Sequence, residues 1–469
     1  MSLQDFISPG RTVLVPGDPG YEDELGGFQT GFTLRPDAVF AARSAEDVVA
    51  AVTYAASEGL PVGVQATGHG LPGDAEGGVL ITTRRMAAVT VDARARTVRV
   101  RAGVTWRQVV EAAEPYGLAP LNGSAPGVGA VAYTLGGGLG ILAREFGYAA
   151  DHVRSLDVVT ADGRLRHVSA ARAEPSDGGE LFWGLLGGGA NLGVVTELEI
   201  GLVPVARLYG GSLAFDGLAV DPVAALRAYE RWTATVPDAL TSSFAAVPYP
   251  DVPALPPHLR GRYVLSVRVA YTGTAADGER LVAPLRGIGP VLADSLREMP
   301  YAESRTIHSD PDLPHAYHGD SAVLGALDED AVDAVGELLA LTGPDAPSMY
   351  VVQVNHLGGA LARPRPNAVP HREGRFLVRV LGGVDGPARE LLHRALATVE
   401  PWTIGRALNF AYGAGGTDGA GEAGGADARG TRELYDPRTR KRLAGLKSAY
   451  DPANLFRRNY GVAAVSSRA

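Results

Sequence analysis

At 469 residues the chain is too long for one ordinary domain, and two or three are expected. With 46% hydrophobic and 20% charged residues it is globular, and a net charge of −9 argues against a nucleic-acid partner. The absence of cysteine excludes disulfide scaffolds, thiolate zinc sites, iron–sulfur clusters and cysteine nucleophiles. The N-terminus carries no basic, apolar leader. The longest uncharged apolar-rich run, Val48 to Ser57, is about half the ~20 residues of a membrane span. A cytoplasmic protein without a membrane partner is expected.

Ser44 is placed to cap a helix from Ala45 to Gly59, with Glu46 and Asp47 in its first turn. Leu60 to Val64, Val79 to Thr83 and Thr97 to Arg101 read as strands, and Thr105 caps a helix from Trp106 to Tyr116. Pro120 to Gly140 reads as one long glycine-rich turn. A hairpin follows from Leu156 to Val168, turning at Asp162-Gly163, and Gly193 to Leu202 is a further strand. From Val205 to Tyr412, helices (Asp221 to Thr235, Asp328 to Leu341) alternate with strands (Tyr263 to Tyr271, Tyr350 to Asn355, Arg375 to Leu381). That texture suggests an antiparallel sheet with helices on one face. Residues 413–430 are low-complexity Gly/Ala/Asp sequence, expected to be a flexible loop, and 431–459 is helical before a closing turn.

Three glycine-rich segments fall in the first block: Gln65-Ala-Thr-Gly-His-Gly70, Gly123 to Gly140 and Leu181 to Thr196. Glycine lets backbone approach a ligand closely and turn amides towards phosphate oxygens; each segment alone equally suits tight turns. None has the lysine of a phosphate-binding P-loop, and none fits the dinucleotide fingerprint in a strand–turn–helix context. The residues alone indicate a large phosphate-bearing cofactor lying across several loops.

The order of these features resembles the PCMH-type FAD-binding domain of the vanillyl-alcohol-oxidase superfamily, in its berberine-bridge-enzyme-like branch. It runs from Arg35-Pro36 through the His69 loop, the Gly123–Gly140 loop, Gly147-Tyr148 with Asp151, and Val159 to Gly163, to the Gly187–Thr196 loop. Leu446 to Phe456 resembles the branch's closing motif. The resemblance implies an α+β fold in which an FAD-binding domain (1–205) is split by an antiparallel-sheet substrate domain (206–412). A glycine-rich loop (413–430) then leads to a C-terminal segment (431–469) that returns to the FAD domain. It implies FAD held covalently by His69, which raises the flavin's reduction potential. The other cofactor contacts it implies are Thr67, Gly68, Gly70, Gly123, Ser124, Gly127, Val128, Gly129, Tyr133, Gly136, Gly137, Gly138, Gly140, Gly189, Asn191, Gly193, Val194, Val195, Asn454 and Asn459.

Several positions depart from the branch. Where many members attach FAD a second time through cysteine, this chain has Ala125, so attachment is through histidine alone. The histidine loop begins with Gln65 in place of Arg, and Leu186 and Leu192 replace Arg and Phe. Tyr133 stands where berberine bridge enzymes have histidine. The Tyr-x-Asn-Tyr stretch that supplies a proton-accepting tyrosine in carbohydrate oxidases is here Ala407-Leu-Asn-Phe410. Tyr412, two residues on, is the substitute candidate, since a strand points it to the same side as Phe410. His356, Tyr350 and Glu303 are further candidates. Ile141, after Gly-Gly-Gly-x-Gly, occupies the oxygen-gating position of plant members and is neither of their residues there.

His308, Asp310, Asp312, His315, His318 and Asp320 cluster within one stretch, but Pro311 and Pro314 break any helix that would align them. A polar loop near the substrate mouth is expected, not a metal site. The functional expectation is an FAD-dependent oxidase. It passes hydride from a small organic substrate, a bacterial secondary-metabolite intermediate, to flavin N5, with O2 as acceptor. A flavin-dependent oxygenase and a non-redox cyclase on a flavoprotein scaffold are the alternatives.

Overall fold

Ser44 accepts a hydrogen bond from the Asp47 amide and Gly59 closes the helix in the left-handed region (φ 66°), so the first helix runs Ala45–Glu58. Thr105 and Gln108 form a reciprocal capping box at the start of Trp106–Ala113, which continues through Pro115 as a 3-10 turn, Glu114–Tyr116. In the computed structural model the described residues are all but 1–2, 7–9, 171–177, 254, 258, 344–349, 414–432, 459, 461 and 463–469. The segment expected to be a flexible loop, beyond its first residue Gly413, lies outside them.

One expected element is corrected. Residues 120–140 are not a single turn, because Ala130–Leu135 forms a helix between Gly129 and Gly136. The six residues between those glycines contain none, so local propensity wins over the glycine count of the segment.

Among the described residues three large sheets organise the chain, beside a two-stranded parallel pair, Leu34–Arg35 with Ala75–Glu76. The first has strand order Thr12–Leu14, Ala38–Ala41, Val79–Thr82, Val62–Gln65; its last three strands are parallel, as the crossover helix Ala45–Glu58 requires. The second is antiparallel, in the order Leu165–Ser169, Val153–Val159, Val194–Gly201, Thr97–Arg101, Val89–Asp92. The third, formed from residues 207–405, is nine-stranded and antiparallel. Helices Pro222–Thr233, Glu329–Ala340 and Gly386–Ala397 bury Leu226, Tyr229, Val335, Leu338 and Leu392 against one of its faces. Its other face is free to meet the first two sheets.

The C-terminal helix Pro437–Tyr450 packs Leu443 and Leu446 into the core of the first block, and Tyr435 donates its hydroxyl to the Gly187 carbonyl. Lys447, fully buried, pairs with Asp451 at 2.6 Å and donates to the carbonyls of Asn191 and Phe456. The chain end therefore braces the last glycine segment from behind. Among the described residues no helix is long and apolar enough to cross a membrane.

Candidate active site

The glycine segments and the helix-free face of the large sheet enclose a cavity of about 1020 Å³. That is at the upper end of the ~300–1,000 Å³ typical of small-molecule sites, room for a cofactor and a substrate together. Its two walls are built differently.

The first wall is mostly backbone and small side chains. The strand Val62–Gln65 delivers the loop Ala66–Gly70 into the cavity, and Phe28 and Gln29 fix it by donating their amides to the carbonyls of Thr67 and Gly68. The His69 ring lies flat on Phe28, with centroids 4.0 Å apart and 9° between planes. Its Nδ1 shares a 2.8 Å hydrogen bond with the Thr67 hydroxyl, and Tyr317 donates its hydroxyl to the His69 carbonyl. Burial, reinforced by His315, lowers the imidazole pKa to about 4, so the ring is neutral at pH 7 and its free nitrogen is nucleophilic. Nε2 sits beside Gly127, where an added Cβ would stand 3.8 Å away.

The second wall is made of side chains on strands. Ser243, Arg268, Gln353, Asn355 and Arg379 come from four neighbouring strands, Leu240–Pro248, Tyr263–Tyr271, Val351–His356 and Phe376–Gly382. The register sets Ser243 opposite both Arg268 and Asn355, and Gln353 opposite Arg379. Arg268 reaches across one strand to the Gln353 side-chain oxygen at 3.4 Å. The Arg379 guanidinium lies 3.9 Å from the centre of the Phe410 ring and hydrogen-bonds the Tyr412 hydroxyl. Ser243 Oγ, Gln353 Nε2, Asn355 Oδ1 and Arg379 Nε are buried without a hydrogen-bond partner among the described residues.

A third contribution comes from the segment after Ile307. Burial, followed by Arg268, lowers the His308 imidazole to about pKa 3. Burial works to raise the Asp310 carboxyl, yet His308, Arg268 and a hydrogen bond from Ser124 outweigh it and hold the group below its ordinary range. The expected polar loop is thus divided. His308, Asp310 and His315 line the cavity, whereas Asp312 pairs with Arg107 at the surface. His318 and Asp320 sit in the strand His318–Leu324, where Asp320 is held by Arg406. No group able to hold a metal occurs among the described residues.

Of the four candidate catalytic residues, the structure brings one to the cavity. Tyr412 lines it, tied to Gly319 by two backbone hydrogen bonds and set edge-on to Tyr317 with centroids 5.3 Å apart. Burial raises its hydroxyl pKa, against the opposing effect of Arg379. His356 and Tyr350 are not there. Side chains alternate along their strand, so Gln353 and Asn355 face the cavity while His356 faces the helices and stacks on Phe376. Tyr350 is buried in the helix-side core and donates to the Ala388 carbonyl at 2.7 Å. Glu303 is exposed and paired with Arg297.

Of the expected cofactor contacts, Thr67, Gly68, His69, Gly70, Gly123, Ser124, Val128, Gly129, Tyr133, Gly136, Gly140, Gly189, Gly193, Val194 and Val195 line the cavity, as do Ala125 and Ile141. Gly127 lies behind His69 and not in the lining. Gly137 and Gly138 serve packing: the Asn409 side chain accepts from the Gly138 amide at 2.8 Å, and a Cβ on Gly138 (φ 79°) would come within 2.6 Å of the Tyr133 ring. Asn191 spends its amide on the Gly188 carbonyl and accepts from Val462. Asn454 takes a left-handed turn (φ 53°) away from the cavity, and its carbonyl accepts from Arg457. Asn459 lies outside the described residues.

Sequence reasoning missed Phe28, Tyr317, Arg268 and Arg379. For the two arginines a signal exists: each is the lone charge in an otherwise apolar or small-residue strand, Tyr263–Tyr271 or Phe376–Gly382.

A dinucleotide fits the first wall. Gly70 opens on free space, the neutral His69 ring is held on one side only, and Val131, Leu135, Ile141 and Val195 supply apolar surface. Residues 36–169 match the family model described as FAD binding domain. The chain is 27% identical, over 96% of its own length and 96% of the relative's, to the (R)-6-hydroxynicotine oxidase of Paenarthrobacter nicotinovorans. It is 38% identical over 198 residues, 42% of each chain, to the FAD-linked oxidoreductase hasG of Aspergillus fumigatus. The crystal structure of 6-hydroxy-D-nicotine oxidase from Arthrobacter nicotinovorans aligns with a TM-score of 0.79 at 24% identity, covering 97% of this chain and 98% of that one. The fold is that of PCMH-type FAD-binding oxidases, and the homologues are FAD-linked oxidoreductases.

Proposed function

From the premise of an enzyme with an FAD-binding domain and FAD-linked oxidoreductase homologues, we propose an FAD-dependent oxidase. It takes a small organic substrate, an intermediate of secondary metabolism, and uses O2 as acceptor. The observation that carries this reading is the two-walled cavity. The matched domain and His69 form one side, and a polar sheet face with Tyr412 forms the other. His69 holds the flavin, through histidine alone because Ala125 offers no thiol. FAD, when bound, supplies the hydride acceptor.

The chain's own residues do the rest. The sheet face orients the substrate against the first wall. Tyr412 accepts the substrate's proton at Oη, and Arg379, bonded to that oxygen, stabilises the phenolate. The apolar walls keep water from the reacting atoms. Carbohydrate is a poor fit, since Ala407 and Phe410 replace the paired tyrosines used by carbohydrate oxidases of the resembled branch.

The decisive experiment needs no substrate. The holoprotein is precipitated with acid and weighed by mass spectrometry, beside His69→Ala. Flavin mass that stays on the wild-type chain and leaves the variant is the expected result; a colourless wild-type pellet overturns covalent attachment, and a protein that never carries flavin overturns the whole reading. With a substrate found, anaerobic bleaching of the flavin followed by peroxide on aeration identifies an oxidase. A product that gains an oxygen atom would identify an oxygenase, and turnover without bleaching a non-redox cyclase.

A further inference from the structure

The charged side chains lining the cavity, histidines aside, are Arg268, Arg379 and Asp310. Arg268 is 8% exposed, and burial lowers its pKa even with Asp310 nearby. Among the described residues neither guanidinium forms a carboxylate ion pair. Arg268 is the buried one of the two and Arg379 is half-buried with its Nε enclosed; a buried cation without a paired anion is costly, which an anionic ligand would offset. The arginines do not stand alone. Ser243, at 2% exposure, and Gln353, at 5%, present unpartnered polar atoms on the same strip of sheet, and Arg379 Nε is unpartnered as well. Four strands hold this strip, so its spacing is fixed by register and not by loops.

We propose that the substrate carries a carboxylate, bound by Arg268 and Arg379 with Ser243 and Gln353 as further donors. The charge balance selects this class. Two guanidinium charges against one Asp310 carboxylate leave one positive charge, which a carboxylate neutralises. A phosphate monoester brings about −1.5 to −2 and would leave negative charge beside Asp310. The planar guanidinium also matches the carboxylate's two oxygens, whereas a neutral hydroxylated ligand leaves both cavity cations uncompensated. Asn355 Oδ1, an unpartnered acceptor on the same strip, then receives a hydroxyl or N–H of the substrate. This assignment rests on the cavity being the substrate site of the oxidase reading.

The test uses the FAD-containing holoenzyme and four acid–amide pairs: benzoate and benzamide, phenylacetate and phenylacetamide, indole-3-acetate and indole-3-acetamide, octanoate and octanamide. Binding is measured by calorimetry, which reads affinity whether or not flavin is bound, while flavin content is read separately from absorbance. At least one acid should bind about tenfold or more tighter than its amide, a factor typical of one charge-assisted contact. That ratio should fall to near one in Arg268→Met and Arg379→Met, and largely return in Arg379→Lys. If no pair favours the acid in the wild type, or if the preference survives both methionine variants, the proposal is overturned. If those variants change the flavin spectrum while the preference stays, the arginines serve the cofactor and the proposal is also overturned. Should a variant not fold, the wild-type ratio between low and high salt decides: a carboxylate held by the buried pair keeps most of its advantage, and a surface effect loses it.

Discussion

The two walls of the cavity achieve precision by opposite means. The first wall is backbone: glycines, a short helix and one ring, His69, stacked on Phe28 while Tyr317 holds its backbone carbonyl. The second is side chain: five polar groups projecting from four strands whose opposite face is filled by helices. On the proposed reading the backbone wall holds the cofactor, and its composition is then constrained along continuous stretches of chain. A side-chain wall can change its ligand by exchanging single residues while the sheet stays intact. The difference teaches where identity would reside on that reading: a cofactor site written in segments, a substrate site in isolated positions.

The sharpest attack on the second wall is Tyr412→Phe. Turnover should fall by ~10²–10⁴ with little change in KM, as loss of a proton acceptor requires. Because burial raises this hydroxyl, the wild-type rate on saturating substrate should climb with pH without a plateau below about 10. A flat profile would remove Tyr412 from the chemistry.

On the first wall, Lys447→Met should cost about 3 kcal/mol in denaturant unfolding. It strands the buried Asp451 carboxylate and releases the Asn191 carbonyl. Flavin retention should weaken in parallel, and unchanged stability would show that the C-terminal brace is dispensable. Gly138→Ala is milder, at about 1–3 kcal/mol, because the alanine would be strained at φ 79° and would press on the Tyr133 ring. Its effect should appear in thermal unfolding before it appears in turnover.

The smallest effect concerns His69. With its pKa lowered to about 4, the imidazole stays neutral as pH falls from 7.5 to 5.5. Flavin attachment to apoprotein, followed by mass, should therefore hold steady over that range. An imidazole titrating near 6.5 would slow about tenfold. Such slowing would mean that the Phe28–Tyr317 clamp leaves the ring open to water.

This contrast also explains what could be read from the sequence. Ser44, Thr105, Gly59 and Asp162-Gly163 are local signals, and each element they announce is present. The His69 loop was legible because its strand, its glycines and its histidine are consecutive. Arg268 and Arg379 lie 111 positions apart in the numbering and meet only through pairing across the sheet, which no local pattern encodes. His356 and Tyr350 misled for a related reason. A strand shows which residues alternate, but not which of its two buried faces carries the ligand. The glycines at 137 and 138 face Val369 and the Tyr133 ring, and close packing of this kind demands the same residue as close approach to a cofactor.

The clamp on His69 has a consequence for biosynthesis. Phe28 arrives early in translation, and His315 and Tyr317 only after two-thirds of the chain has been made; Gln29 and His315 then join in a parallel bridge beside the loop. A nascent chain released before Tyr317 lacks the hydrogen bond to the His69 carbonyl and the two far-wall strands Val351–His356 and Phe376–Gly382. On the proposed role of His69, flavin loading waits until these distant parts of the polypeptide have come together, and bound flavin reports that they have.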